Sequence, residues 1–479
     1  MKDETAGARA NHKAEGESLL MSERLKILFV TMHWPLAQAY GAQQRVLNVS
    51  RLLGRFGDVS FVMVLTEAAD EDTIRRTKQS FEVLRIVRPL PAAPDTALRR
   101  VQHRLRHELD AGYLGTDPVA VSDADRSALV GLMREHHVTW VHSVQIADWF
   151  RIRRWPGCVL DVDDVPSRVY WSMVQSGDSV VRRLLDVRMS WIWRRRERLL
   201  TDRFDVLTVC SEDDRQYLGS QAQVHVVPNG FHPQVMRRCA SSELPRIGHL
   251  GTLNWMPTEE AVKWFILEVW PTIKREVPHA QLRLVGRDSD GYLSKLGPDI
   301  AGLGWLQDPG DEMATWSAMI IPNKIGGGTR VKVAEGLARR CPVVASTIGA
   351  FGYDVRNGEH ILLADEAGDF ASACLRLLRN PKLGEALSER AHQRFLQRYT
   401  WDSFESTVGV VIEECLARSD RWQADQGIAA KGLRRHSIRG RVRPVSDSEL
   451  LRGQRNKADT EGPFGGGRAT TCCKGDSLT

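Results

Sequence analysis

Short apolar runs and amphipathic stretches take turns along most of the chain. Lys26-Ile27-Leu28-Phe29-Val30-Thr31 has the pattern of a buried strand. After a loop reaching Gly41, the stretch 42–54 sets Val46, Leu47, Val49, Leu52 and Leu53 along one side of a helix. Further strands are predicted at 59–65, 83–87, 138–142, 158–162, 204–211 and 224–230. The segment 89–125 is broken by prolines, then basic and helical, and yields no assignment. A long helical stretch over 167–204 comes next, and 232–244 reads as a polar linker. Beyond it the alternation resumes, with strands at 246–251, 281–286, 319–322, 342–346 and 360–364. Helices are expected at 258–270, 367–379, 383–397 and 401–418. Strand and helix in strict exchange predict an α/β chain of two doubly wound domains, with a ligand held in the cleft between them.

One stretch organises this pattern. Met319-Ile320-Ile321-Pro322 leads into Asn323-Lys324-Ile325-Gly326-Gly327-Gly328-Thr329-Arg330, and a helical run from Val331 to Arg340 comes after it. A glycine loop that delivers the chain into a helix N-terminus is a natural anion site: the first N–H groups lack partners and the helix dipole is positive there. Arg330 and Lys332 add cations where the dipole disfavours them, and the conflict points to a bound polyanion. The plain alternative is an ordinary turn with solvated basic residues.

Composition narrows the class. The chain has 479 residues, 42% of them hydrophobic, enough for two or three full cores. It contains no run of about 18 apolar residues that would span a bilayer. Residues 1–23 are polar and charged, unlike a secretory signal. The eight cysteines lack metal-ligand spacing and mostly fall in strand or helix patterns, which fits reduced thiols in a cytoplasmic setting. Much of the net charge of +6 gathers at 182–203 and in a basic, glycine-rich tail, 421–479, expected to stay unfolded. No motif supports specific nucleic-acid binding.

The residues of the second half resemble a known family. Gly326-Gly327-Gly328-Thr329-Arg330-Val331-Lys332-Val333-Ala334-Glu335-Gly336-Leu337-Ala338, then Pro342-Val343-Val344-Ala345-Ser346, Gly349, Gly352 and Asn357-Gly358, are similar to the C-terminal domain of group 1, or family 4, glycosyltransferases. Gly251-Thr252-Leu253-Asn254-Trp255-Met256-Pro257 and Tyr399-Thr400-Trp401 fit the same family. The resemblance implies a GT-B fold: an N-terminal Rossmann-like acceptor domain at 24–232 and a donor-binding one at 245–402, with a C-terminal helix at 403–420. It also implies a nucleoside diphosphate sugar as donor, retention of configuration, no cofactor and no metal.

Position by position, the resemblance makes Glu335 the carboxylate on the donor ribose, against the plain reading of an i, i+4 pair with Arg339. Arg330 and Lys332 become the diphosphate clamp, completed by backbone N–H groups at Gly327, Gly328 and Thr329, with Gly41 approaching the donor from the first domain. His142 becomes the strand-end histidine facing sugar and acceptor, and with Arg330 and Lys332 forms the expected catalytic set. Two departures stand out: Gly327 occupies the place of the family's first motif glutamate, and Thr252 follows Gly251 where many homologues carry arginine. Asp161, Asp163 and Asp164 are candidates for acceptor hydroxyls, with helix capping or other structural duty as their alternative.

The expected partners are the donor and a saccharide or lipid-linked acceptor. The aromatic and basic stretch with Trp171, Trp191, Trp193 and Arg194-Arg195-Arg196 suggests peripheral contact with the inner face of an anionic membrane, against core packing with a solvated basic edge. A nucleotide-sugar epimerase or hydrolase, or a non-catalytic nucleotide-sugar binder, are the alternatives.

Overall fold

The computed structural model describes residues 24–35, 41–65, 71–91, 96–114, 119–176, 179–219, 221–234, 244–292 and 297–425. The N-terminal extension, nearly all of the basic tail and part of the linker lie outside them.

The first sheet begins with β1 (Leu25–Thr31), β2 (Gly57–Val64) and β3 (Glu82–Val87). A short antiparallel ribbon of β4 (Leu90–Pro91) and β5 (Val119–Ala120) intervenes in the stretch that yields no sequence assignment. The sheet then takes β6 (Val138–His142), β7 (Trp155–Val162), β8 (Phe204–Val209) and β9 (Val224–Val226), in the order β3-β2-β1-β6-β7-β8-β9, all parallel. The second sheet holds β10 (Arg246–Leu250), β11 (Gln281–Val285), β12 (Ile300–Gly302), β13 (Ala318–Ile321), β14 (Val343–Ala345) and β15 (Leu362–Leu363). Its order is β12-β11-β10-β13-β14-β15, again parallel throughout. Central strands are apolar on both faces because helices cover both: every residue of β6, β8 and β13 is buried.

Six helices bear on the site and on the outer face of the first domain: α1 (Gly41–Gly54), α2 (Ala97–Leu109), α3 (Pro166–Ser176), α4 (Val180–Glu197), α5 (Val331–Ala338) and α6 (Glu405–Asp425). The long helical stretch expected over 167–204 is present as separate helices. Helix α5 stops short of the expected Arg340, which takes a positive φ of 52°.

Helix α6 corrects the sequence grouping. It comes after the second domain in the chain, yet it packs on β7 and β8 of the first. His225 Nε2 lies 2.6 Å from Glu414 Oε2, a Cβ on Gly409 would meet Phe56 at 3.2 Å, and Arg55 bonds both Asp402 and Glu405. Val408, Val411, Ile412 and Cys415 are fully buried on its inner face. Among the described residues no helix is long and apolar enough to cross a membrane.

Candidate active site

Parallel strands deliver their C-terminal ends to one edge of the sheet, and their register here lines up Thr31, His142, Asp161 and Thr208 in a single row. Asp161 is the buried anchor of that row. Its Oδ2 accepts from Arg45 Nε at 2.9 Å, and its Oδ1 accepts from Arg45 Nη2 at 2.5 Å and Thr208 Oγ1 at 2.7 Å. Both side chains of the pair are wholly enclosed. With both oxygens engaged and no path to solvent, Asp161 is not open to an acceptor hydroxyl; the structural alternative is the one realised. Arg45 comes from α1, inside a run that reads from sequence as an amphipathic helix face, and it extends further, to the Val227 carbonyl at 2.9 Å and Asn229 Oδ1 at 3.1 Å. Despite the cost of burial, Asp161 keeps this guanidinium firmly charged.

Asn229 carries the network across to the second half. Its Nδ2 donates to Asp163 Oδ1 at 3.1 Å and to Thr329 Oγ1 at 3.0 Å, while Tyr353 Oη donates to its carbonyl at 3.0 Å. Asp163 also accepts from Cys210 Sγ at 3.2 Å, and His142 Nε2 stands 3.8 Å from its Oδ2, too far for a hydrogen bond. Burial would raise the Asp163 carboxyl, but His142, Arg45 and Asn229 outweigh it and hold it below the ordinary range. His142 is 1% exposed and neither ring nitrogen has a hydrogen-bond partner. The His33 ring meets it edge-on at 5.4 Å, and burial followed by the proximity of His142 brings His33 down to about 3.

The glycine loop does something other than the sequence suggests. A Cβ on Gly327 would lie 2.6 Å from Val169 Cγ2 and 2.9 Å from the Val165 carbonyl. One on Gly328 would lie 2.1 Å from Asp164 Oδ1 and 2.7 Å from the Asp163 carbonyl. Both glycines are buried under the 163–169 segment of the first domain. They are small so that the two halves of the molecule can touch, which also explains why no glutamate occupies position 327: there is no room for its side chain. Thr329 is held by Asn229 and is 9% exposed. The expected cradle of N–H groups at 327–329 is thus covered by protein in this arrangement, with Gly326 N–H spent on Ser172 Oγ at 2.9 Å.

The two cations behave differently. Arg330 is the N-cap of α5 and folds back on its own loop, donating to the Gly328 and Ile325 carbonyls. Gly326, with φ of 148°, makes way for that guanidinium, since a Cβ there would overlap Nη2. Lys332, in the first turn of α5, has no acidic partner within ion-pair distance among the described residues. Its Nζ instead stands 3.5 Å from Nε2 of His249 at the end of β10. The other ring nitrogen, Nδ1, is 3.0 Å from the Ile320 carbonyl, so it carries the proton and leaves Nε2 as a lone pair toward the ammonium. Burial, then the charge of Arg330, brings Lys332 down to about 7. His249 itself is held far below its usual range by burial and by Lys332.

Glu335 accepts from Arg339 Nε at 3.0 Å through Oε1, the i, i+4 pair that sequence offers as its plain reading, and burial raises its carboxyl against that partner. Opposite them, a Cβ on Gly41 would come within 3.2 Å of Val331 Cγ2. Since Gly41 opens α1 and Val331 opens α5, two helix N-termini from the two halves meet at one place. Sequence reasoning names Gly41, Lys332 and Glu335 as candidates and gives no role to Arg45, Asn229 and His249, which the structure brings to the same place. A buried arginine on an apolar helix face is the available signal for the first.

Residues 244–380 match the family model described as glycosyl transferases group 1. That stretch is similar to a group 1 glycosyltransferase domain. The phosphatidyl-myo-inositol mannosyltransferase of Mycobacterium leprae is 32% identical over 156 residues, 31% of this chain and 41% of that protein. The chain therefore spans about two fifths of the length of that curated relative. Solved structures extend the likeness in fold over both halves. The sucrose-phosphate synthase of Thermosynechococcus elongatus superposes with a TM-score of 0.59 at 16% identity, covering 82% of this chain and all of that one. Anabaena Alr3699/HepE in complex with UDP-glucose gives 0.54 at 15% identity over 81% of this chain and all of that one. The fold of the glycosyltransferase-like chain is GT-B.

Proposed function

We propose that the protein transfers a sugar, with retention, from a nucleoside diphosphate sugar to a hydroxyl acceptor. The observation that carries this reading is the meeting of the α1 and α5 N-termini beside Lys332, an ammonium with no acid in ion-pair contact among the described residues. Helix ends of 14 and 8 residues turned toward one point form a positive pole suited to a diphosphate. As the sugar leaves, charge grows on that diphosphate, and a preorganised positive site lowers the barrier. In this reading Arg330 shapes the loop and adds to the field, and the roles assigned to Glu335 and His142 are the ribose hydroxyls and the sugar and acceptor respectively, each after its side chain gives up the enclosed arrangement described above. A thermal-shift screen with UDP, GDP, ADP and their sugars should raise Tm for one base, with transfer to added saccharide or lipid-linked acceptors. Donor consumption indifferent to acceptor would point to the hydrolase or epimerase, and no shift with any nucleotide would end the proposal.

The same reading gains support from a face of the first domain. Val101, Leu105 and Leu109 on α2, and Val181, Leu184 and Trp191 on α4, are each at least half exposed. Arg188 pairs with Glu108, and Arg195 donates to the Glu108 and Leu109 carbonyls at 2.8 and 2.9 Å, joining the helices side by side. Apolar stripes at helical spacing with Arg182 and Arg188 exposed beside them suit the surface of an anionic bilayer. The alternative of core packing with a solvated basic edge is less favoured, since Arg194 stacks on Tyr217 and Arg196 is buried while these six apolar side chains are exposed. A Val181→Glu, Leu184→Glu variant should lose sedimentation with anionic vesicles and keep its Tm. Undiminished sedimentation, or self-association that vanishes in the variant, would assign the face to another use.

A further inference from the structure

Asp164 stands apart from its neighbours. Asp161 is engaged through both oxygens by Arg45 and Thr208, and Asp163 through Oδ1 by Asn229 and Cys210, whereas Asp164 makes no hydrogen bond or ion pair among the described residues. Its side chain is exposed to solvent beside the glycine loop. Its place is fixed from the opposite domain. The loop ahead of α5 is reduced to glycine under it, because a Cβ on Gly328 would fall 2.1 Å from Asp164 Oδ1. Arg330, the α5 N-cap, is close enough to pull on the charge of Asp164. A bare carboxylate bordering a diphosphate site is unfavourable unless donors meet it, and the hydroxyls of a sugar bonded to that diphosphate are such donors. A second polar group in the same region also lacks a partner: His142, 1% exposed, has both ring nitrogens unbonded and lies beside Asp163.

We infer that Asp164 accepts hydrogen bonds from hydroxyls of the transferred sugar and so distinguishes a nucleotide sugar from its bare nucleotide. The carboxylate comes from the acceptor half of the molecule and completes the donor site when the two halves are together. This rests on the cleft being a nucleotide-sugar site, and the test separates the two ideas.

Calorimetric titrations would compare wild type with Asp164→Asn, using the best-binding nucleoside diphosphate of the panel and its sugar, first in EDTA and then in Mg²⁺. The asparagine variant should bind the bare nucleotide at least as tightly, because a negative charge has gone. The advantage of the nucleotide sugar over it should shrink about 10-fold or more. Asp164→Glu, which keeps the charge but displaces it, should fall between them, and unchanged Tm values exclude a folding defect. An unchanged sugar advantage would overturn the inference. So would nucleotide affinity that drops only in Mg²⁺, which would make Asp164 a metal ligand. Wild type that binds neither compound would defeat the underlying reading instead, and this one with it.

Discussion

Replacing Lys332 by alanine should lower kcat/KM by about 10²–10³-fold with no loss of folding, because it removes a preorganised cation from the point where leaving-group charge grows. The effect should exceed that of methionine at the same place only slightly, since charge and not packing is at issue. Lys332 also sets a pH dependence. Burial and the Arg330 charge bring the free ammonium down to about 7, and a bound diphosphate diester, which does not itself titrate near neutrality, would raise it again. Binding above pH 7 must therefore take up a proton, and below it almost none. Donor affinity should fall as pH rises from 7, by up to about tenfold per unit. Calorimetry at pH 8.5 in two buffers of different ionisation heat should register uptake of nearly one proton in wild type and none in Lys332→Ala. Equal uptake in both proteins would remove Lys332 from the site.

The largest effect on stability is expected at Arg45. Alanine there strands Asp161 in a fully enclosed position with only Thr208 as donor, and it removes hydrogen bonds to the Val227 carbonyl and Asn229. Breaking a buried pair from one side costs about 3–5 kcal/mol. For a protein of ordinary stability that is a large share of the total, so the variant should unfold at much lower urea or be recovered only as aggregate. The cost is mostly that of the carboxylate left behind. Arg45→Met combined with Asp161→Leu should accordingly recover part of what the single change loses, and a double variant as weak as the single one would place the cost elsewhere.

Much of the architecture can be read directly from periodicity. The strands of the first sheet announce themselves as short runs rich in apolar, β-branched residues, the central ones apolar on both faces, and the glycine loop with its helix announces the second half. What escapes is whatever depends on distant partners. Residues 300–302 carry too few apolar positions to signal a strand, yet they pair with β11. Residues 401–418 group by sequence with the domain they come after, because a helix pattern records which face is buried and not against what. The glycines at 327 and 328 read as room for phosphate, whereas the space is taken by the 163–169 backbone, a segment more than 150 residues away. Arg45 looks like one polar position on a helix whose apolar neighbours draw the attention. Lys332 is legible as a cation near a helix start, but its depressed basicity comes from its burial and from Arg330 beside it.

The return of α6 to the first sheet bears on how the chain is made. The half that leaves the ribosome first lacks one of its covering layers until α6 has been synthesised, and β7 and β8 must wait with an apolar surface uncovered throughout that interval. A nascent chain of this design is exposed to aggregation while its second domain is being made, and that domain has every opportunity to fold before the first is finished.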